Sequence, residues 1–237
     1  MLPARRLMAR ADGSDLRIAL GELSRRAQRD LVGALGRART VDGARAIMAE
    51  LMPALIDKYA AAAATAAADW YDEVRDQAEV RGGYRASVPD VGAPGVQSLL
   101  GWAADQAVDL TTFRTLALGG YTRRILKYGR STVTRNAVAD PGADGWMRQG
   151  RGDNCDFCNM LIGRGAVYGE KSVEFASHDH CSCVAVVAFK GHEKPVLLRA
   201  DGTRATVSRR GDRTDAEQRR VSNERVRSWI ESHPNAG

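Results

Sequence analysis

From Ser14 to about Ala38 the apolar residues Leu16, Ile18, Leu20, Leu23, Ala27, Leu31 and Leu35 recur mostly at intervals of three and four. Polar residues fill the other positions, so the pattern predicts an amphipathic helix with Ser14 as its N-cap and Asp15 in its first turn. A second helix is expected from near Val41, through the alanine-rich run Ala60 to Ala68, to about Ala78. Pro53 lacks a backbone donor and predicts a bend in it. The short alanine side chains let a neighbouring backbone approach closely, and Trp70 and Tyr71 give this arm a bulky end.

Arg81 to Pro94, with Gly82, Gly83, Pro89, Gly92 and Pro94, read as a loop or hinge. Helical spacing resumes at about Gly95 with Val96, Leu99, Leu100, Ala103, Ala107 and Leu110, and continues through Phe113, Leu116 and Leu118. Gly119-Gly120 predicts a break before a further helix over Tyr121 to Ala139, lined by Ile125, Leu126, Val133 and Val138. Its other face holds Arg123, Arg124, Lys127, Arg130 and Arg135, which reads either as a solvated face or as a contact for nucleic acid or an acidic partner.

After Asp140-Pro141-Gly142 the helical period is lost. Trp146 to Gln149 and Ala166-Val167-Tyr168 are short extended candidates, and Cys183 to Phe189 is apolar on both faces, as a buried strand would be. The fold class is therefore α+β: a mostly helical N-terminal region followed by a small zinc-stabilised β-containing domain and a basic C-terminal tail. The expected division is 1–140 (hinge about 81–94), 141–195, and 196–237. The tail holds Arg199, Arg204, Arg209, Arg210 and Arg213, then a short helix from about Thr214 to Glu231. It is the stretch expected to meet nucleic acid or another subunit, folding when it does.

With 237 residues, 44% hydrophobic and 27% charged, the composition is that of a soluble globular protein. The longest apolar run is too short and too weakly hydrophobic to span a bilayer, and the basic N-terminus lacks a following apolar stretch, so no membrane or signal segment is expected. The net charge of +6, with arginine far outnumbering lysine, suits surroundings rich in phosphate. Aromatic residues are few and not interleaved with the basic ones, which argues against a stacking platform for single strands.

All four cysteines fall between Cys155 and Cys183. Cys155-Asp156-Phe157-Cys158 places two thiols on one tight turn, and His178-Asp179-His180-Cys181-Ser182-Cys183 offers a second set about twenty residues later. Two such turns can close a tetrahedral zinc site, which wants four soft or borderline ligands. Six residues compete for those places. Cys155 and Cys158 are the firmest, and the preferred partners are His178 with one or both of Cys181 and Cys183. His180 reads as a neighbouring or surface residue. A site closed by four protein ligands has no open position for water, so the zinc is expected to be structural. For a glycine-rich domain with few strands it would supply much of the folding energy, on the order of 10 kcal/mol in metal-dependent peptides. Two disulfides or a redox pair are the competing readings. The first is disfavoured by the lack of any sign of secretion, the second by Gly163 and Gly165 following where a helix would have to run.

The succession Trp146-Met147-Arg148, Cys155-Asp156-Phe157-Cys158-Asn159-Met160, Gly163 to Tyr168, and His178 to Cys183 before an apolar strand resembles the C-terminal part of MuF-like minor capsid proteins. These are head morphogenesis proteins of tailed bacteriophages, especially phages of actinobacteria. Trp70-Tyr71-Asp72 and Arg130 to Ala137 extend the likeness upstream, over roughly Asp57 to Phe189. The resemblance implies a virion component, made in the bacterial host cytoplasm and placed at the portal vertex or capsid interior. Its implied partners are the portal and/or major capsid protein, with non-specific contact to packaged DNA and no membrane, and its implied task is head assembly, DNA packaging or ejection. It also implies that Cys155 with Cys158, and His178 with Cys181 and Cys183, form the metal-binding turns, without saying which four residues ligate. No enzymatic domain is expected. The rival reading is a zinc-dependent nuclease or other metal hydrolase, with His178 or His180 as base and Asp153, Asp156 or Asp179 nearby.

Overall fold

Side chains at the helix starts set much of the element order. The computed structural model describes residues 12–150, 154, 156–166, 168–169 and 174–192. Its elements are α1 (Ser14–Leu35), α2 (Val41–Gln77), α3 (Val96–Gln106), α4 (Leu110–Ala139), β1 (Ala143–Gln149), α5 (Asp156–Ile162) and β2 (Val184–Phe189). Thr40 and Asp109 cap α2 and α4, accepting from Gly43 N at 3.1 Å and Thr112 N at 2.7 Å, which satisfies one otherwise unpaired donor in each first turn. At α1 the expected cap shifts: Gly13 is the N-cap, and the Asp12 carboxylate instead accepts from the Ser14 amide at 3.0 Å and hydroxyl at 2.9 Å.

α2 is continuous across Pro53, as expected of a helix that at most bends there, whereas the break expected at Gly119-Gly120 is absent and one appears elsewhere. α2 runs through Pro53, with Met48, Met52 and Ile56 buried on both sides of it, so packing holds the helix where a hydrogen bond is missing. α4 runs through Gly119-Gly120, and the real break lies at Ala107 to Asp109, between α3 and α4. The glycines mark close approach rather than helix ends: a Cβ at Gly120 would overlap the Leu99 side chain of α3. Gly120→Val is therefore expected to lower stability by about 1–3 kcal/mol through overpacking. Thermal unfolding would detect it, and a rise in stability, as at an exposed helical glycine, would contradict this account.

The core lies between α2 and α4, where Ala60, Ala63, Ala64 and Ala67 are fully buried as the alanine run predicts. α1 adds Leu16, Leu20, Leu31 and Leu35. The helix-to-strand change falls at Asp140, and one core runs across it: Trp146, Met147 and Val184 to Val187 pack in the same cluster as the helices. β1 and β2 are antiparallel, with Trp146 opposite Val187, Arg148 opposite Ala185, and an irregularity between Ala143 and Trp146. Tyr168 adds one isolated bridge to Trp146. All six residues of β2 are buried, which explains its two apolar faces.

The stretch between α2 and α3 has no regular structure but is strapped down. Asn136 accepts from the Ser87 amide at 2.8 Å and donates to its carbonyl at 2.9 Å, Asp72 accepts from Ala86 N at 2.8 Å, and Tyr128 donates to Gly92 O at 2.7 Å. The basic tail and its expected helix, residues 196–237, lie outside the described residues, as do Cys155, Asp153 and Val167. Among the described residues no helix is long and apolar enough to cross a membrane.

Candidate metal centre

β2 is apolar along its whole length and seats against the helices, which fixes the turn that enters it. In that turn Cys181 N donates to the His178 carbonyl at 3.3 Å. Across from it Cys158 sits in the first turn of α5, a helix rather than the tight turn expected, with Cys158 and Leu161 on its buried side. Cys158 Sγ lies 3.6 Å from Cys181 Sγ and 3.4 Å from His178 Nε2. The other ring nitrogen of His178, Nδ1, is 2.6 Å from the Asp179 carbonyl. A carbonyl can only accept, so Nδ1 carries a proton, which leaves Nε2 as the ring nitrogen able to offer a lone pair to an ion beside the two sulfurs. Cys158, His178 and Cys181 thus lie close enough together to hold a metal ion.

Cys183 belongs to the same buried cluster, but its thiol reaches Asn154 Oδ1 at 3.7 Å. All three described cysteines are free thiols. His180 is exposed and held at φ 62°, in the left-handed region that non-glycine residues rarely adopt. It rests on bare backbone of α4: a Cβ at Gly119 would come within 3.2 Å of His180 Nε2 and 3.1 Å of the Asp179 side chain.

Without an ion the thiols compete for charge. Hydrogen bonds from Cys158 and Cys183 outweigh burial, and with Arg130 nearby they hold Cys181 far below the usual thiol range. Hydrogen bonding to Cys181 and Cys183, with burial, pushes Cys158 far up. A bond with Cys158 lowers Cys183, but the bond with Cys181 and burial prevail and raise it to about 11.

Two arginines that sequence reasoning left out of the site surround this cluster. Arg148, 2% exposed, places Nη1 at 4.0 Å from Cys158 Sγ and 3.9 Å from Cys181 Sγ, while Nη2 donates to the Ala176 carbonyl. Its guanidinium lies 3.8 Å from the Phe175 ring centroid. Trp146 stacks on that ring at 5.6 Å and on Tyr168 at 4.5 Å. Arg130 is also 2% exposed; its Nε donates to the Cys183 carbonyl at 2.9 Å and its Nη2 to the Cys181 carbonyl. Burial draws the Arg130 pKa down and the neighbouring thiols draw it back up. Neither arginine has a carboxylate partner among the described residues. A buried, unpaired charge is costly, so ionised sulfur is what balances them.

The expected basic stripe is consequently not one surface: Arg130 points inward, Arg123 pairs with Asp179 at 3.2 Å, and Arg124 donates to Gly95 O at 2.9 Å. A legible signal existed for Arg148, an arginine in a strand paired with wholly apolar β2. For Arg130 there was none, because α4 carries basic residues on neighbouring positions and periodicity does not single out the one that faces inward.

A family model described as VG15 protein matches residues 8–207. The chain belongs to the VG15 protein family. This is a viral, phage family, and its match spans every element and both halves of the Cys/His cluster. No curated protein and no solved structure matches this VG15 family chain.

Proposed function

We propose that this VG15 family chain is a MuF-like minor capsid, or head morphogenesis, protein of a tailed phage. It acts in the virion at the portal vertex or capsid interior, during assembly, DNA packaging or ejection. Its partners are portal and/or major capsid protein, with non-specific contact to packaged DNA. Phage family membership supports this reading, and the observation that carries it is the convergence of Cys158, His178 and Cys181 beneath the turn into β2.

The donor set suits structural zinc. Tetrahedral zinc with sulfur at about 2.3 Å and nitrogen at about 2.0 Å separates two sulfurs by about 3.8 Å and sulfur from nitrogen by about 3.5 Å. The observed 3.6 Å and 3.4 Å lie close to both. Cys158, His178 and Cys181 would hold the ion, with Cys183 or Cys155 in the fourth place. Bound there, zinc supplies a cross-link between α5 and the turn, and it lets several thiols ionise together. A three-thiolate, one-imidazole centre is then net negative and faces the Arg130 and Arg148 guanidiniums, which answers their missing carboxylates.

The chain works as a non-enzymatic scaffold in this reading. A hydrolase would need an open metal position and carboxylates beside it, whereas Cys158 and Cys181 are buried and Asp179 is paired with Arg123. The test is elemental analysis of purified protein with a pull-down of portal and major capsid protein, and immunodetection in purified virions. One zinc per chain and recovery in heads is the expected result. Metal-dependent nuclease activity of the folded protein, lost in His178→Ala while the fold persists, would reverse the assignment.

A further inference from the structure

A cavity of about 200 Å³ opens between α1, α4 and the turn into β2. Arg17, Ser24, Thr122, Arg130, His180 and Ser182 supply its polar wall, and no aspartate or glutamate contributes among the described residues. Arg130 is spoken for at two of its three nitrogens by the Cys183 and Cys181 carbonyls. The third, Nη1, is buried without a hydrogen-bond partner among the described residues. Closed to solvent and beside the sulfurs that offset its charge, this guanidinium stands behind the cavity wall and adds positive potential to it.

The other wall residues have matching capacity. Arg17 spends Nη1 on the Gly150 carbonyl at 3.1 Å, which fixes its guanidinium at the cavity while leaving donors over. Thr122 donates to Leu118 O at 2.8 Å and accepts from Gln28 at 3.0 Å, so it shapes the wall without competing for a ligand. The thiols of Cys181 and Cys183 are directed to the metal cluster and to Asn154, so the turn presents Ser182 and His180 here. The spare donors of Arg17, an imidazole and two serine hydroxyls around one small volume, backed by the Arg130 charge, outnumber what a carboxylate's two oxygens can use. They suit the oxygens of a tetrahedral dianion.

We infer that this cavity is a binding site for a phosphate-sized oxyanion, either free phosphate or the terminal phosphate of a larger molecule, held by Arg17 and Ser182 in the positive field of Arg130. The site shares the turn that the metal cluster organises but does not depend on the capsid assignment, so it is tested on metal-replete full-length protein whose zinc content is measured alongside.

Titration calorimetry with inorganic phosphate, against chloride at matched ionic strength, is expected to show one site per chain. Arg17→Gln should weaken binding by about tenfold, the loss of one charge-assisted hydrogen bond, and Ser182→Ala by a few fold. Both leave the Arg130 bonds to the turn intact, so metal content and circular dichroism should not change. A dinucleotide bearing a 5′-phosphate that binds more tightly than inorganic phosphate assigns a terminal phosphate, and equal affinity assigns the free ion. The inference is overturned if phosphate binds no better than chloride. It is overturned equally if both variants bind like the parent chain, or if the dinucleotide binds as well without its phosphate as with it.

Discussion

Cys181→Ser is expected to release the metal and unfold the segment from α5 to β2. The Cys181 thiol lies 3.6 Å from Cys158 and within reach of His178, and its backbone carbonyl receives Arg130. Serine offers zinc a hard, protonated oxygen in place of a thiolate, and metal binding in sites of this kind is coupled to folding on the order of 10 kcal/mol. The loss also leaves Arg148 and Arg130 buried with less counter-charge, so their hydrogen bonds to Ala176, Cys181 and Cys183 would not survive alone. Elemental analysis should read one zinc per parent chain and none in the variant, and the near-ultraviolet signal of the Trp146 stack should vanish. Ser182→Ala, one residue on and exposed, should keep both. Acidification should mimic the substitution, because ligand thiols must be deprotonated to bind and affinity falls as pH falls. Retention of zinc in Cys181→Ser at parental stoichiometry and chelator resistance would remove the basis for the centre.

Asp140→Asn should cost about 3–5 kcal/mol, the usual penalty for breaking a buried ion pair by removing one partner. The Asp140 carboxylate, fully buried, accepts from Arg75 Nε at 2.9 Å and Tyr71 hydroxyl at 3.2 Å, and its second oxygen accepts from Gly142 N at 2.8 Å. Burial and the nearby Asp140 charge push the Tyr71 pKa well up, so its hydroxyl remains a neutral donor across the working pH range. Arg75 in turn ties down the carbonyls of Val80, Arg81 and Gly82 at 3.0–3.1 Å. The substitution therefore strands a buried guanidinium and loosens the loop after α2 together with the entry to β1. Urea denaturation measures the loss. Arg85→Ala breaks an exposed pair with Asp76, 62% and 59% exposed, and should change stability by no more than about 1 kcal/mol. Equal effects from the two variants would mean that the buried network contributes little.

Helix periodicity located α1, α2 and the later half of α4 to within a few residues, because those helices bury one face and expose the other. Where it misplaced breaks, the cause was tertiary. Gly119 and Gly120 look like punctuation in a string, yet they provide bare backbone for the turn at Asp179-His180 and for Leu99. Ala107 to Asp109 looked like helix continuing, yet the Asp109 side chain starts a new one. A proline is tolerated in α2 for a similar reason: the apolar contacts flanking it outweigh one lost bond.

For the candidate centre, the residue types and their spacing were enough to single out the two turns, since thiols and imidazoles clustered in this way serve few purposes other than metal. Residue order along the chain could not decide which of them meet. That depended on β2 burying both faces, which brings Cys181 and His178 to Cys158, with Cys183 beside them and also within reach of Asn154. Nor could it reveal that two arginines from distant elements, one in α4 and one in β1, converge on the sulfurs. Local pattern records which face of an element is apolar, and that much the chain determined by itself. Which charges end up together in the interior is a property of how faces pack, and only the folded arrangement of α4 against the β1–β2 pair decided it.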